Sequence, residues 1–106
     1  MRTTILVLVA ASTLASAATV AKVHVDVVVP GGFPESLDVD VPLGQYYMSS
    51  AWNSVSKLTL VSPSGVICKP YIEDSNGGHD GPAFSVGKPA VLSTTTSVKV
   101  RQVWCA

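Results

Sequence analysis

Charge is scarce in this chain and evenly split. Of 106 residues only 13% are Asp, Glu, Lys or Arg, seven acidic against seven basic, and no block of Lys or Arg occurs. That removes the basic footprint on which nucleic-acid binding rests, and equally the polybasic grip used on anionic membranes. Aromatic residues make up only 7%, and there are two cysteines. Beyond Ala18 no apolar run approaches the roughly 20 residues that cross a bilayer, and none repeats at helical spacing. His24 and His79 stand without a nucleophile elbow, an oxyanion loop or a metal-ligand spacing, so a hydrolytic triad is not expected. The length allows one domain.

What is present begins with an export signal. Met1-Arg2-Thr3-Thr4 is a short basic region, Ile5 to Ala11 is apolar, and Ala15-Ser16-Ala17 supplies an A-x-A cleavage signature. A secretory signal peptide over residues 1–17 is expected, leaving one extracellular domain over 18–106. A membrane anchor is the competing reading, but Ser12, Thr13 and Ser16 interrupt a stretch already too short to span. Loss of Arg2 leaves six basic against seven acidic residues, a net charge of −1. No Asn-x-Ser/Thr site is present, so N-glycosylation is not expected.

In an oxidising compartment Cys68 and Cys105 become a single intramolecular pair, with two free thiols or an intermolecular bond as the alternatives. The ring they close spans 37 positions, and the loop-entropy model values that constraint at about 4 kcal/mol. A domain this small buries only about two thirds of its unfolded surface, so such a closure matters.

The rest of the chain reads as strands. Val23, Val25 and Val27 alternate with Lys22, His24 and Asp26 until Pro30-Gly31-Gly32 breaks the run, and Leu37, Val39 and Val41 alternate with Asp38 and Asp40 up to Pro42. Lys57 to Val61 and Val66 to Tyr71 are joined by Ser62-Pro63-Ser64-Gly65, which predicts a hairpin across a type I turn. Ala83 to Val86 and Ala90 to Ser93 are shorter candidates. Ser97 to Trp104 closes the chain, with Val98, Val100 and Trp104 expected on one face and Lys99, Arg101 and Val103 on the other. Tyr46 to Val55 has room for one helical turn. An all-β sandwich or barrel follows.

Val55-Ser56-Lys57-Leu58-Thr59-Leu60 and Thr95-Thr96-Ser97-Val98-Lys99-Val100 repeat a pattern of small polar residues running into a strand. Two similar four-strand units packed face to face are expected. Tyr71-Ile72-Glu73-Asp74-Ser75-Asn76-Gly77-Gly78 resembles the βγ-crystallin hallmark of an aromatic residue, a second aromatic and a glycine. Tyr71 and Gly78 match, and Asn76 replaces the second aromatic. Leu92, Ser97-Val98-Lys99-Val100 and Trp104 are similar to the family's later Leu, Ser-Ile-Arg-Val and Trp. In the first half Val28 and Phe33 keep the spacing, while Glu35 stands where glycine is expected. The resemblance implies a small Greek-key β-sandwich closed by one disulfide, of the kind found in small secreted fungal proteins and killer toxins. Tyr71, Gly78, Ser97 and Trp104 are its motif residues. Gly78 would take a positive φ under a hairpin covered by Tyr71, and Ser97 would bond backbone groups of that hairpin.

Many members of that family bind Ca²⁺ through paired Asn/Asp residues. The matching segments here, Trp52 to Lys57 and Leu92 to Ser97, lack an acidic pair, whereas Ca²⁺ wants six to eight oxygens with carboxylates among them. No metal and no cofactor are expected. The loop from Glu73 to Gly81 carries Glu73, Asp74 and Asp80, the remaining cation candidates, and is read first as a solvated turn. Asp38 with Asp40 and Glu73 with Asp74 are read as surface acids rather than an acid/base pair.

Binding surfaces remain. Tyr46, Tyr47 and Trp52 cluster in a Ser-rich segment and form the candidate surface, since loop aromatics stack on sugars or anchor in proteins. A small sandwich also needs large side chains inside, a role that suits Trp52 and Trp104. The Lys22 to Val29 strand, at a sheet edge, would accept a partner strand. The expected function is that of a secreted, non-enzymatic effector, a monomer binding a host or competitor protein or glycan during host colonisation. An antimicrobial killer-toxin-like protein acting on membrane or wall is the rival reading, and a Ca²⁺-binding structural or lectin-like module the third. Nucleic-acid binding and stable membrane insertion are not expected.

Overall fold

The computed structural model describes residues 19–106, so the expected signal peptide lies outside the described residues. Among these the strands are β1 (Val20–Val27), β2 (Glu35–Pro42), β3 (Tyr46–Tyr47), β4 (Lys57–Ser62), β5 (Cys68–Glu73), β6 (His79–Asp80), β7 (Ala90–Val91) and β8 (Lys99–Cys105). A single 3₁₀ turn, Ser50–Asn53, is capped by the Ser49 side chain, which accepts from the Ala51 N–H at 3.1 Å.

Two antiparallel sheets result, in the order β2-β1-β4-β7 (sheet I) and β3-β8-β5-β6 (sheet II). Alternation decides what lies between them. Ala21, Val23 and Val25 of β1, Leu58 and Leu60 of β4, and Cys68 and Pro70 of β5 point inward, while Lys22, Thr59 and Lys69 point away. Val41, Trp52, Val55, Val66, Phe84, Ala90, Val100, Val103 and Cys105 also belong to the core.

The two halves of the chain do not form one sheet each. β1, β2 and β4 share sheet I with β7 from the second half, and β5, β6 and β8 share sheet II with β3 from the first. Each half thus lends its third strand to the other, through Leu58↔Ala90 on one side and Tyr47↔Val103 on the other. Face-to-face packing of two separate four-strand units is replaced by an interlock. The predicted hairpin around Ser62 to Gly65 is also corrected. β4 is already paired on both edges, by β1 and β7, so the turn carries the chain across to sheet II and β5 pairs with β8 and β6 instead. Similarly β1 is an inner strand between β2 and β4, with no free edge for a partner.

Both fourth strands carry a bulge at corresponding places. Lys22 pairs with Ser62 and Val23 with Leu60, leaving Val61 extra; Tyr71 pairs with Gln102 and Ile72 with Val100, leaving Arg101 extra. An extra residue reverses which face each later side chain takes. Beyond Arg101 it is therefore Val103 and Cys105 that are buried, and Trp104 is outward and 37% exposed, opposite to the expected alternation. The disulfide joins Cys68 and Cys105, which sit directly opposite each other on β5 and β8.

Ser56 is a fully buried polar residue at the seam between the halves. Its N–H donates to the Asp26 carbonyl at 2.8 Å, and its carbonyl accepts from Leu92 and Ser93 at 2.8 and 3.2 Å. Its Oγ accepts from the Val28 N–H at 2.8 Å and donates to the Thr96 carbonyl at 2.5 Å. Beside it, Val55 and Val98 exchange two backbone hydrogen bonds of 2.9 Å. Ser56→Ala leaves a donor and an acceptor without their partner. The expected loss in urea unfolding is about 1–3 kcal/mol, and a loss below about 0.5 kcal/mol would mean that water takes over both bonds.

Candidate functional site

The outer face of sheet II brings Tyr46, Tyr71 and Trp104 together, while the most exposed aromatic residue among those described, Phe33 at 90%, stands in the loop between β1 and β2. Register places Tyr46 of β3 opposite Trp104 of β8, and Trp104 opposite Lys69 of β5, so these three form one row across the sheet. A second row runs from Gln102 of β8 through Tyr71 of β5 to Asp80 of β6. Together the six residues line a shallow groove of about 420 Å³. Tyr46 is 69% exposed. The Cys68–Cys105 bond immediately precedes both Lys69 and, on the other strand, follows Trp104, so the crosslink fixes the register of the first row.

Tyr71 is held from two sides. The Arg101 guanidinium lies 5.5 Å from its ring centroid, and Arg101 is in turn aimed by Glu73 and the Gly77 carbonyl, each at 3.4 Å. Against the ring lies Gly78, at φ +132°, where an added Cβ would stand 2.7 Å from Tyr71 Cε2 and 2.6 Å from the Ile72 carbonyl. Tyr71 and Gly78 are therefore brought together by a turn folded over the strand. No side-chain hydrogen bond from Ser97 to that hairpin is present among the described residues; the buried serine is Ser56, whose Oγ bonds Val28 and Thr96, outside the hairpin. Ser97 is half-buried at the rim of a recess near Val27 and Ala51.

Of the expected surface aromatics, only Tyr46 is displayed. Tyr47 is half-buried against the core, and Trp52 is a core residue, 0% exposed, with its indole N–H donating to the Tyr47 carbonyl at 3.1 Å. The strand pairing of Tyr46 and Tyr47 sends the two rings to opposite faces, and the 3₁₀ turn folds Trp52 beneath them. Lys69 and Gln102 complete the face and were not singled out by the sequence. Lys69 sits beside a cysteine on the outward phase of β5, and Gln102 takes its side only because of the bulge at Arg101.

The three carboxylates of the Glu73 to Gly81 loop point to different tasks. Glu73 pairs with Lys99 at 3.7 Å and with Arg101. Asp74 accepts from the Asn76 N–H at 2.8 Å and meets His79 Nδ1 at 2.9 Å. The Asn76 N–H, and after it His79, hold the Asp74 carboxyl below its ordinary range. Asp80 stands in the groove wall. Among the described residues no three His, Cys, Asp or Glu side chains are grouped to hold a metal.

Sheet I turns a different surface outward. Lys22 is opposite Asp40, His24 opposite Asp38, and Asp26 opposite Lys57. His24 Nδ1 lies 2.6 Å from Asp38 and Nε2 3.2 Å from Asp26. The Asp38 hydrogen bond raises the His24 pKa above 6.5, with partial burial opposing it and the Asp26 charge adding to it.

No protein-family model matches the chain, and neither a curated protein nor a solved structure does.

Two outcomes are expected. Gly78→Ala forces a side chain into a strained φ and against Tyr71, and costs about 1–3 kcal/mol in urea unfolding. Gly77→Ala, with nothing within 4 Å of its Cβ, should cost less, and equal losses would contradict the contact. In an NMR titration His24 should show a pKa above 6.5 that falls in Asp38→Asn. A group raised on folding stabilises fully below its unfolded value and loses that contribution as pH rises through the folded one. Native protein should therefore lose more stability than Asp38→Asn as the pH rises from about 6.5 through the folded-state pKa of His24.

Proposed function

We propose that this chain is a secreted, non-enzymatic interaction protein of βγ-crystallin-like, double Greek-key build, which meets its partner through the outer face of sheet II. The observation that carries the reading is the exposed pair Tyr46 and Trp104, set edge to edge with Tyr71, Lys69, Gln102 and Asp80 on a rigid, crosslinked sheet. Aromatic side chains displayed on a fixed backbone lose little entropy on binding, and they dominate the energy of many interfaces. The crystallin-like reading is supported by the exchange of third strands between sheets and by the positive-φ Gly78 packed under Tyr71. The disulfide agrees with an oxidising compartment, and no helix among the described residues is long and apolar enough to cross a membrane.

The closest role for such a molecule is in host colonisation, as an effector that engages a host or competitor surface. A membrane- or wall-directed toxin fits less well with a net charge of −1 over residues 18–106, because surplus positive charge is what draws such proteins to anionic surfaces.

Purified protein, applied in parallel to plant tissue and to microbial cultures, should elicit a response in the tissue. The Tyr46→Ala/Trp104→Ala double variant, with unchanged thermal unfolding, should lose that response. Growth inhibition of microbes without a tissue response would overturn the effector role, and a fully active double variant would overturn the face.

A further inference from the structure

The chemistry of the sheet II face narrows what it binds. We infer that its ligand is a neutral, extended β-linked glycan, a proposal that rests on the binding-face reading above and deepens it.

The first argument is shape. Neighbouring strands are about 5 Å apart and alternate residues along a strand about 7 Å apart, so the rows Tyr46-Trp104-Lys69 and Gln102-Tyr71-Asp80 form a broad, shallow bed. The groove is half-open to solvent and is lined by two adjacent rows of side chains, so an extended ligand can lie along it. A flat, repeating ligand fits such a bed, and a helically coiled or strongly branched one does not.

Next comes the chemistry of the surface. The face of an aromatic ring is electron-rich, and the axial C–H bonds on one side of a pyranose ring present the complementary, weakly positive surface. Hydroxyl groups around the same sugar ring each donate and accept. Around the aromatics stand a donor-only ammonium (Lys69), an acceptor-only carboxylate (Asp80) and an amide that does both (Gln102). That inventory serves hydroxyls of either orientation.

Charge makes the third argument. Lys69 and Asp80 balance each other within the groove, and at its border Arg101 and Lys99 share the Glu73 carboxylate. The groove lining itself therefore carries no net charge to draw in a phosphate, a uronate or an anionic lipid headgroup. Sheet I, by contrast, presents Lys22, His24, Asp26, Asp38 and Asp40 and has no Tyr, Trp or Phe in its strands, so the two outer faces of the sandwich are chemically distinct.

Tryptophan supplies the readout, because Trp104 is on the bed and Trp52 is in the core. The secreted protein is titrated with three hexasaccharides: β-1,4-linked glucose, β-1,4-linked N-acetylglucosamine, and α-1,4-linked glucose as the coiled control. Saturable change in tryptophan emission is expected with at least one β-linked chain and not with the α-linked one. Tyr46→Ala should weaken it by about tenfold or more, and Trp104→Ala should abolish retention on the corresponding insoluble polysaccharide while leaving the circular dichroism unchanged. Which β-linked chain binds distinguishes a glucan from an acetamido-sugar polymer. Absence of binding to both, equal binding of the α-linked chain, or full retention of Trp104→Ala would each overturn the inference. If no glycan binds while the tissue response still depends on Tyr46 and Trp104, the glycan assignment fails and the binding face stands. If a glycan binds through Trp104 while the tissue response survives in the double variant, the assignment stands and the effector role fails.

Discussion

The hydroxyl of Ser56 lies between the Val28 N–H and the Thr96 carbonyl, and its own peptide groups reach Asp26, Leu92 and Ser93. One residue thereby ties the end of β1 to the segment that follows β7, across the line where the halves of the chain meet. A hydrophobic core alone is tolerant of sliding, because apolar contacts are non-directional. Directional bonds at a fully buried site are not, and an unmade one there costs more than a made one gains. Ser56 therefore fixes the end of β1, the start of β4 and the segment after β7 relative to one another, at the place where the two halves of the chain meet in sheet I.

Much of this architecture is legible in the residues. Period-two alternation correctly assigns the inward side of β1, where Val23 and Val25 are buried, and the only two cysteines pair across β5 and β8. Tyr71 and Gly78 also meet. Other features leave no trace in a hydropathy pattern. A bulge is one residue with no compositional mark, so Arg101 silently reverses the phase of β8 and turns Trp104 to the surface in place of Val103. β3 and β7 are only two residues long, too short for any periodicity, yet they decide that the sheets interlock. A turn such as Ser62 to Gly65 looks the same whether the chain returns to its own sheet or crosses to the other. The groove on sheet II is the hardest part to foresee because its six residues come from four strands and depend on both the bulge and the strand exchange.

The two outer surfaces divide the chemistry. Sheet I carries cross-strand pairs of opposite sign, with His24 between Asp26 and Asp38, a solvated and titratable ladder that keeps its side of the sandwich soluble. Sheet II carries rings and a balanced set of hydrogen-bonding groups. Rigidity there comes from the covalent bond at Cys68 and Cys105, from the Arg101 guanidinium above Tyr71, and from the glycine turn packed beneath it. A surface held in this way has little conformational freedom left to lose on contact with a ligand.

The exchange of third strands has a kinetic consequence. β4 cannot be flanked on both edges until β7 arrives from far along the chain, and β8 cannot until β3 is brought back from the first half. Topologies closed by such distant pairings reach the native state in milliseconds to seconds rather than microseconds, so intermediates with bare strand edges persist during synthesis. During that interval the two-residue strand of a neighbouring copy offers an edge the same match as the chain's own. Reciprocal swapping between nascent chains, favoured by concentration, is therefore the misassembly to which this molecule is most exposed.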